Sequence, residues 1–328
     1  MTPGPTTRGA PLLRHIAGRL VQAVFVLWAA YTVTFVLLYL LPTDPVETML
    51  GARGDSAALP EEEMAALRAA YGLDKPWPLQ YVTRLWAALH GDFGHSMSTG
   101  APASQEVLTA LPNTLALAGT ALGLAITAGF SIALLATYTN LRWLRGVLLS
   151  LPPLGVAIPT FWFGLVLIQV FSFRLGLLPA FGQGGWQAIV LPAVTLALPV
   201  SAGMAQVLAQ SLRTTWTAPF LDVVRAKGAG RRRLLLGHAL RNSVSPALAI
   251  AGMTVGGVLA GSVVTETIFS RAGIGRLTQQ AVTVQDIPVV QAVVVFAAVV
   301  FVLVNLAVDL LQMVVDPRLA RTGEAVAR

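Results

Sequence analysis

Six stretches of the chain, 20–41, 107–141, 146–173, 175–212, 242–265 and 287–308, contain no Asp, Glu, Lys, Arg or His. Each reaches or exceeds the roughly 20 residues that a helix needs to cross about 30 Å of hydrocarbon. In that layer only helices and closed barrels satisfy the backbone hydrogen bonds, and barrel strands would appear as short alternating segments. The pattern predicts an all-α integral membrane protein with six transmembrane helices. It divides the chain into a tail over 1–18, a first transmembrane helix over 19–41, an outer loop with amphipathic helices over 42–112, a five-helix core over 113–315 and a tail over 316–328. The first run follows Arg8, Arg14 and Arg19 but is longer than the 7–15-residue core of a signal peptide. Leu41-Pro42-Thr43-Asp44-Pro45 is unlike a small-residue cleavage site, so this helix is expected to be retained. Pro152, Pro153 and Pro159 in the third run, and Pro192 and Pro199 in the fourth, remove backbone donors and are expected to bend or break their helices.

Between the runs, two polar segments carry helical periodicity. In 42–112, Glu61, Glu62 and Glu63 follow Pro60 at a predicted helix start and Gly72 supplies its stop. Trp77, Tyr81, Leu85 and Leu89 then recur at helical spacing. Two readings stand: a docking surface for an external partner, or a helical cap lying on the bilayer. In the loop 213–245, Pro219 starts a short helix with Phe220, Val223, Val224 and Lys227 on one face, ended by Gly228 and Gly230. Such a helix suits a groove on another protein. Equally, Arg231, Arg232 and Arg233 would let it lie on anionic headgroups.

Composition agrees with the pattern: 55% of the 328 residues are hydrophobic and 11% are charged, with a mean hydropathy of +0.71. The net charge of +7 is unevenly placed. With the N-terminus inside, the segments on that side hold Arg8, Arg14, Arg19, Arg142, Arg145, Arg213, Arg225, Lys227, Arg231, Arg232, Arg233, Arg241, Arg318, Arg321 and Arg328. Arg53, Arg68, Lys75, Arg84, Arg174, Arg271 and Arg276 fall outside, and the first outer loop is acidic on balance. Basic residues kept on the cytoplasmic side place both termini there. The charge is thus a topology signal, not a nucleic-acid footprint. With no cysteine, disulfides and thiolate metal sites are excluded.

No span carries an ionisable group, which disfavours a proton-driven carrier and intramembrane proteolysis. Glu266 and Asp309 fall at span ends, where interfacial solvation is expected. A P-loop needs Lys after Gly, whereas Lys75 and Lys227 follow Asp and Ala, so the chain does not bind ATP through such a motif. His90 and His95 are five apart, a spacing that does not align them for a metal. In the fifth run Thr254, Gly257, Gly261 and Thr265 share a face that either borders a hydrated path or packs closely on another helix.

The ordered motifs resemble the inner-membrane permease subunits of ABC importers for dipeptides and oligopeptides, a group that also serves nickel, opine and glutathione systems. The likeness spans nearly the whole chain. It runs through Leu41-Pro42-Thr43-Asp44-Pro45, Gly72-Leu73-Asp74-Lys75-Pro76 with Gln80-Tyr81, Gly91-Asp92-Phe93-Gly94-His95-Ser96 and Leu111-Pro112-Asn113-Thr114-Leu115. It continues with Ile158-Pro159-Thr160-Phe161-Trp162, Leu175-Gly176-Leu177-Leu178-Pro179, Val290-Gln291 and Asp316-Pro317-Arg318. Arg225-Ala226-Lys227-Gly228 with His238-Ala239-Leu240-Arg241-Asn242 and Pro246 is similar to the loop that such permeases present to their ATPase. Asp222 and Val223-Val224 depart from the Glu-Ala-Ala of the generic signature, and Ala272 replaces the usual Pro before Gly273.

The resemblance implies the type I importer permease fold and assigns Phe220, Leu221, Asp222, Val223, Val224, Ala226, Lys227 and Gly228 to ATPase coupling. It implies a multi-pass protein of the bacterial plasma membrane with no covalent chemistry and no cofactor of its own, ATP and Mg being held by the ATPases. The implied partners are a second homologous permease, two cytoplasmic ATPase subunits or domains, an extracytoplasmic solute-binding protein and membrane lipid. The expected solute is a dipeptide or oligopeptide, with nickel chelates, opines or glutathione as alternatives. Passage would follow alternating access. A passive channel or ATP-independent carrier, and a lipid-binding scaffold, are the competing classes, and both leave the motif order unexplained.

Overall fold

The computed structural model describes residues 10–39, 46–47, 60–182 and 184–315. Leu41-Pro42-Thr43-Asp44-Pro45 and Asp316-Pro317-Arg318 lie outside these residues, as do the tail 316–328 and the Asp309 side chain. The described residues are helical throughout, apart from turns and one isolated bridge between His95 and Pro102. The chain separates into two compact units, 1–109 with 277–306, and 110–276 with 307–328.

In the first unit, α1 (Ala10–Tyr39) begins inside the stretch predicted as a tail. Helix α2 (Glu61–Ala70) has its three glutamates in the first turn, and Gly72 follows it at φ +63°. Helix α3 (Trp77–Leu89) packs on α1: the Thr32 and Tyr81 hydroxyls are 2.8 Å apart and the Phe35 and Tyr81 rings meet edge-on at 5.3 Å. Its predicted stripe therefore splits, with Tyr81 against α1 and Trp77 and Leu89 exposed.

Helix α4 (Ala103–Tyr138) carries Pro112 within it and starts inside the predicted outer loop. Its 110–138 portion belongs to the second unit, where α7 (Gln187–Trp216) is the central element. Leu117, Ala121 and Ala125 of α4 meet Leu196, Val200 and Met204 of α7 and Val258 of α9 (Leu240–Ile268).

The prolines act unequally. The third run is broken into α5 (Arg142–Ala157) and α6 (Thr160–Leu167), which continues as a π-helical stretch, Ile168–Arg174. The two arms are bent by 105°. Pro159 disfavours helical backbone at the preceding residue, and Ile158 and Pro159 are both extended, at ψ 124° and 126°. By contrast Pro152 and Pro153 stay inside α5, and Pro192 and Pro199 inside an uninterrupted α7, so that of the bend or break expected there no break occurs. The fourth run also starts late as a helix, at Gln187, because turns with Gly176 at φ +61° and Gly185 at φ +69° precede it.

Two short elements follow α7: α8 (Pro219–Ala226), and a helical turn Arg231–Arg233 that widens into a π-helical stretch, Leu234–Ala239, before α9. The chain then passes through α10 (Ile274–Thr283) to α11 (Ile287–Val315). Among the described residues four helices are long and apolar enough to cross a bilayer, and five crossings result if the bent pair is one. The fifth predicted run lies on α9, whose described apolar stretch, Gly256–Ile268, falls short of that length. The described residues thus support four to five crossings where the charge-free runs predict six.

Candidate functional site

Helix α8 begins because Pro219 occupies its first turn with φ already fixed near the helical value and stops at Gly228, whose φ is +81°. The Gly228 amide closes on the Arg225 carbonyl at 3.0 Å. Leu221 is fully buried, in a cluster with Ala133 of α4, Leu208 and Leu212 of α7, Leu234, Leu235 and Ala239, and Val224 packs against its edge. The predicted face is therefore revised: Val224 turns inward with Leu221, while Phe220, Val223 and Lys227 form the exposed face. Asp222 and Ala226 are exposed too, and Asp222 holds Arg225 at 2.6 Å. The departure from the generic signature at Asp222 is thus met by a partner one turn along the same helix.

Around α8, arginines tie down the end of α4, where the last carbonyls of a helix have no helical donor. Arg145 donates from Nε to the Ala136 carbonyl at 3.1 Å and from Nη2 to that of Thr139 at 3.3 Å. Arg231 donates to the Thr137 carbonyl at 3.1 Å and to the Asn140 side chain. Its guanidinium lies over the Tyr138 and Trp216 rings, 5.6 and 5.9 Å from their centroids, a favourable cation–π geometry. Ser243 donates to the Thr215 hydroxyl at 2.8 Å, fastening α9 to α7. Arg231 is therefore a structural tie, whereas Arg232 and Arg233 are exposed.

The predicted stripe on α9 does not form one surface. Thr265 is buried and donates to the Gly261 carbonyl at 3.0 Å. Gly261 faces Leu196 so closely that an added Cβ would lie 2.9 Å from its Cδ1. Thr254 is half-buried and Gly257 is open. Close packing accounts for the Gly261 end. A polar stripe on α7 escaped the sequence reading: Gln206, Gln210 and Arg213, exposed and spaced i, i+4 and i+7, line a cavity of about 520 Å³. Their spacing in an otherwise apolar run was the available signal.

Several motifs meet at buried carboxylates. In the second unit Glu266 is fully buried, not solvated at an interface as its place at a span end suggested. Its carboxylate accepts the Thr114 hydroxyl at 2.7 Å and the amides of Gly275 and Arg276 at 2.7 and 3.2 Å. The Thr114 hydroxyl also accepts the Ile274 amide at 2.8 Å, and Asn113 donates to the Ala272 carbonyl at 2.8 Å. Hence Leu111-Pro112-Asn113-Thr114-Leu115 and the 269–275 loop form one knot. An added Cβ at Gly273 would stand 2.3 Å from the Glu266 carboxylate, and one at Gly275 would stand 2.5 Å from the Val263 Cα. Arg271, nearby and buried, donates to the Ala188 carbonyl at 3.1 Å. Burial draws its guanidinium below the ordinary arginine value, and the Glu266 charge opposes that shift.

In the first unit Asp286 plays a parallel part. It is buried and accepts the Ser96 hydroxyl at 2.6 Å, and the Ser98 amide and hydroxyl at 3.1 Å each. It also precedes α11, whose Val289 amide reaches its other oxygen at 3.4 Å. Asp92 accepts the Gly94 amide at 2.8 Å, shaping the turn that carries Ser96.

Residues 125–321 match the family model described as binding-protein-dependent transport system inner membrane component. Residues 12–118 match the model of the N-terminal part of such membrane components. The chain is 33% identical over 242 residues to the glutathione transport system permease protein GsiC of Salmonella choleraesuis (strain SC-B67), covering 74% of this chain and 78% of that protein. The GsiC of Escherichia coli (strain K12) is 32% identical over the same length and shares. Among solved structures, a chain of the MetNI methionine ABC transporter aligns with a TM-score of 0.52 at 18% identity, covering 64% of this chain and 96% of that one. That likeness concerns the fold.

Proposed function

The chain belongs to the binding-protein-dependent transport system inner membrane component family, and we propose that it works there as the translocating half of a peptide importer driven through α8. As a member it is a permease of an ABC importer in the bacterial inner membrane, and not itself an enzyme. ATPase and binding-protein partners follow from the family.

Within that frame, Phe220, Val223 and Lys227 present the surface that an ATPase subunit grips, and Leu221 carries the push into the helices behind. Asp222, Val224, Ala226 and Gly228 give the element its shape. The single observation that supports this reading is the split of α8 into one buried leucine anchor and an exposed face containing Phe220 and Val223. Exposed apolar side chains on a short helix fit a groove on another protein. Both termini are assigned to the cytoplasm, a second homologous permease completes the passage, and two ATPases bind nucleotide and Mg. The solute is a short peptide, with glutathione favoured by the GsiC relatives.

Co-purification with the products of the adjacent genes tests this. The expected result is recovery of an ATPase whose association falls when Phe220→Asp or Val223→Arg is introduced. An ATPase that binds these variants as tightly as the unchanged chain overturns the assignment. Solute entering liposomes that hold this chain alone, without nucleotide, would overturn the importer mechanism.

A further inference from the structure

Helix α7 buries Met204, Ala205, Leu208 and Leu212 against its neighbours. Its other face carries Gln206, Gln210 and Arg213, all exposed. At 1.5 Å of rise per residue, Gln210 lies about 4.5 Å and Gln206 about 10 Å along the axis from Arg213, toward the middle of the span. Among the described residues neither glutamine side chain has a hydrogen-bond partner. Two unpaired amides at that depth are costly against lipid tails, because hydrocarbon offers them nothing to bond. They are tolerated against water or against a polar solute.

The surroundings favour the second environment. The glutamines border the cavity of about 520 Å³ between α4, α5 and α7, whose opposite wall holds Ile132, Leu149 and Pro152. Arg145 and Arg213 also line it. Arg145 is held in place by the Ala136 and Thr139 carbonyls, so its charge is fixed beside the cavity. No acidic side chain lines the cavity. Two cations over a low-dielectric wall concentrate anions, and glutamine amides both donate to and accept from peptide groups.

We propose that this cleft is a hydrated inner vestibule of the passage, in which Gln206 and Gln210 bond the peptide groups of the moving solute and Arg145 and Arg213 attract its carboxylates. The proposal rests on the transport reading and deepens it by naming the lining and the solute chemistry.

The chain has no cysteine, so single thiols report on single positions. In the complete transporter, held in inside-out membranes, Gln206→Cys and Gln210→Cys are treated with two membrane-impermeant methanethiosulfonates, one bearing a sulfonate and one a trimethylammonium. Leu154→Cys, at an exposed apolar site on α5, is the control. The stripe thiols are expected to react at least about tenfold faster than the control. Relative to free thiols, the sulfonate reagent is favoured, and Arg213→Gln reduces that preference by about threefold or more. Gln206→Leu combined with Gln210→Leu lowers uptake of S-methylglutathione at least about tenfold, with the ATPase still bound.

Labelling no faster than at Leu154→Cys overturns the vestibule, and so does labelling of the isolated chain that vanishes in the complete transporter, which would mean that a protein covers the cleft. Absence of charge preference overturns the role of the arginines. Uptake by the unsubstituted transporter is the separate control: if it fails, the importer reading falls, whatever the thiols show.

Discussion

The Glu266 knot and the α8 segment are both built from motif residues in the same unit, yet they are held in opposite ways. In the knot both Glu266 carboxylate oxygens accept hydrogen bonds and even the glycines are fixed by lack of room: Gly273 and Gly275 face the Glu266 side chain and the α9 backbone. In α8 one leucine is buried, while Phe220, Val223 and Lys227 face outward. Interior packing explains the knot completely. In α8 it explains Leu221 and, at the cluster's edge, Val224, and gives no reason for an apolar Phe220 or Val223 at the surface. A motif whose residues the interior does not need is the one to examine for a partner.

Substitutions sharpen this contrast. A large loss of stability is expected for Gly275→Ala, about 3 kcal/mol, because the added carbon meets backbone that cannot give way. Leu221→Ala should cost about 2–4 kcal/mol by opening a cavity in the cluster beneath α8. Glu266→Gln is expected to cost about 2 kcal/mol, since its NH2 replaces one of two acceptor oxygens, the one that takes Thr114 or the one that takes the Gly275 and Arg276 amides. Gly228→Ala follows at about 1 kcal/mol, from the left-handed backbone alone. Thermal unfolding of the purified protein in detergent checks all four, and a stable Glu266→Gln protein would break the account of the knot. Phe220→Ala closes the series. It should move stability by no more than about 0.5 kcal/mol while lowering ATPase recovery and uptake. Equal damage to stability and uptake would erase the contrast between the two regions.

Much of this was readable along the chain. Runs free of charge locate the long helices, and the punctuation of α8 by Pro219 and Gly228 is visible in the sequence and present in the structure. What stayed hidden depends on residues far apart. Glu266 at a span end looks solvated until Thr114, 152 residues earlier, is brought to it. The five prolines read alike, but only Pro159 marks a break, while the others stay inside continuous helices. The stripe on α9 was legible as a choice between lining and packing, and Leu196 decides it at Gly261. Gln206 and Gln210 carry no formal charge to mark them in the sequence, yet an uncharged amide in an apolar helix carries the same message about water.

The π-helical stretch Leu234–Ala239 has a consequence for how α9 is phased. A π turn is an α turn with one surplus residue, so side chains before and after it are offset by about 100° of rotation. Arg231–Arg233 and α9 are consequently two differently clocked stretches of what looks like one rod. Removing a single residue there should restore regular winding and cost little backbone strain, yet it would swing Arg231 away from the end of α4. Chain length at this point sets an angle, much as a shim sets the alignment of a shaft.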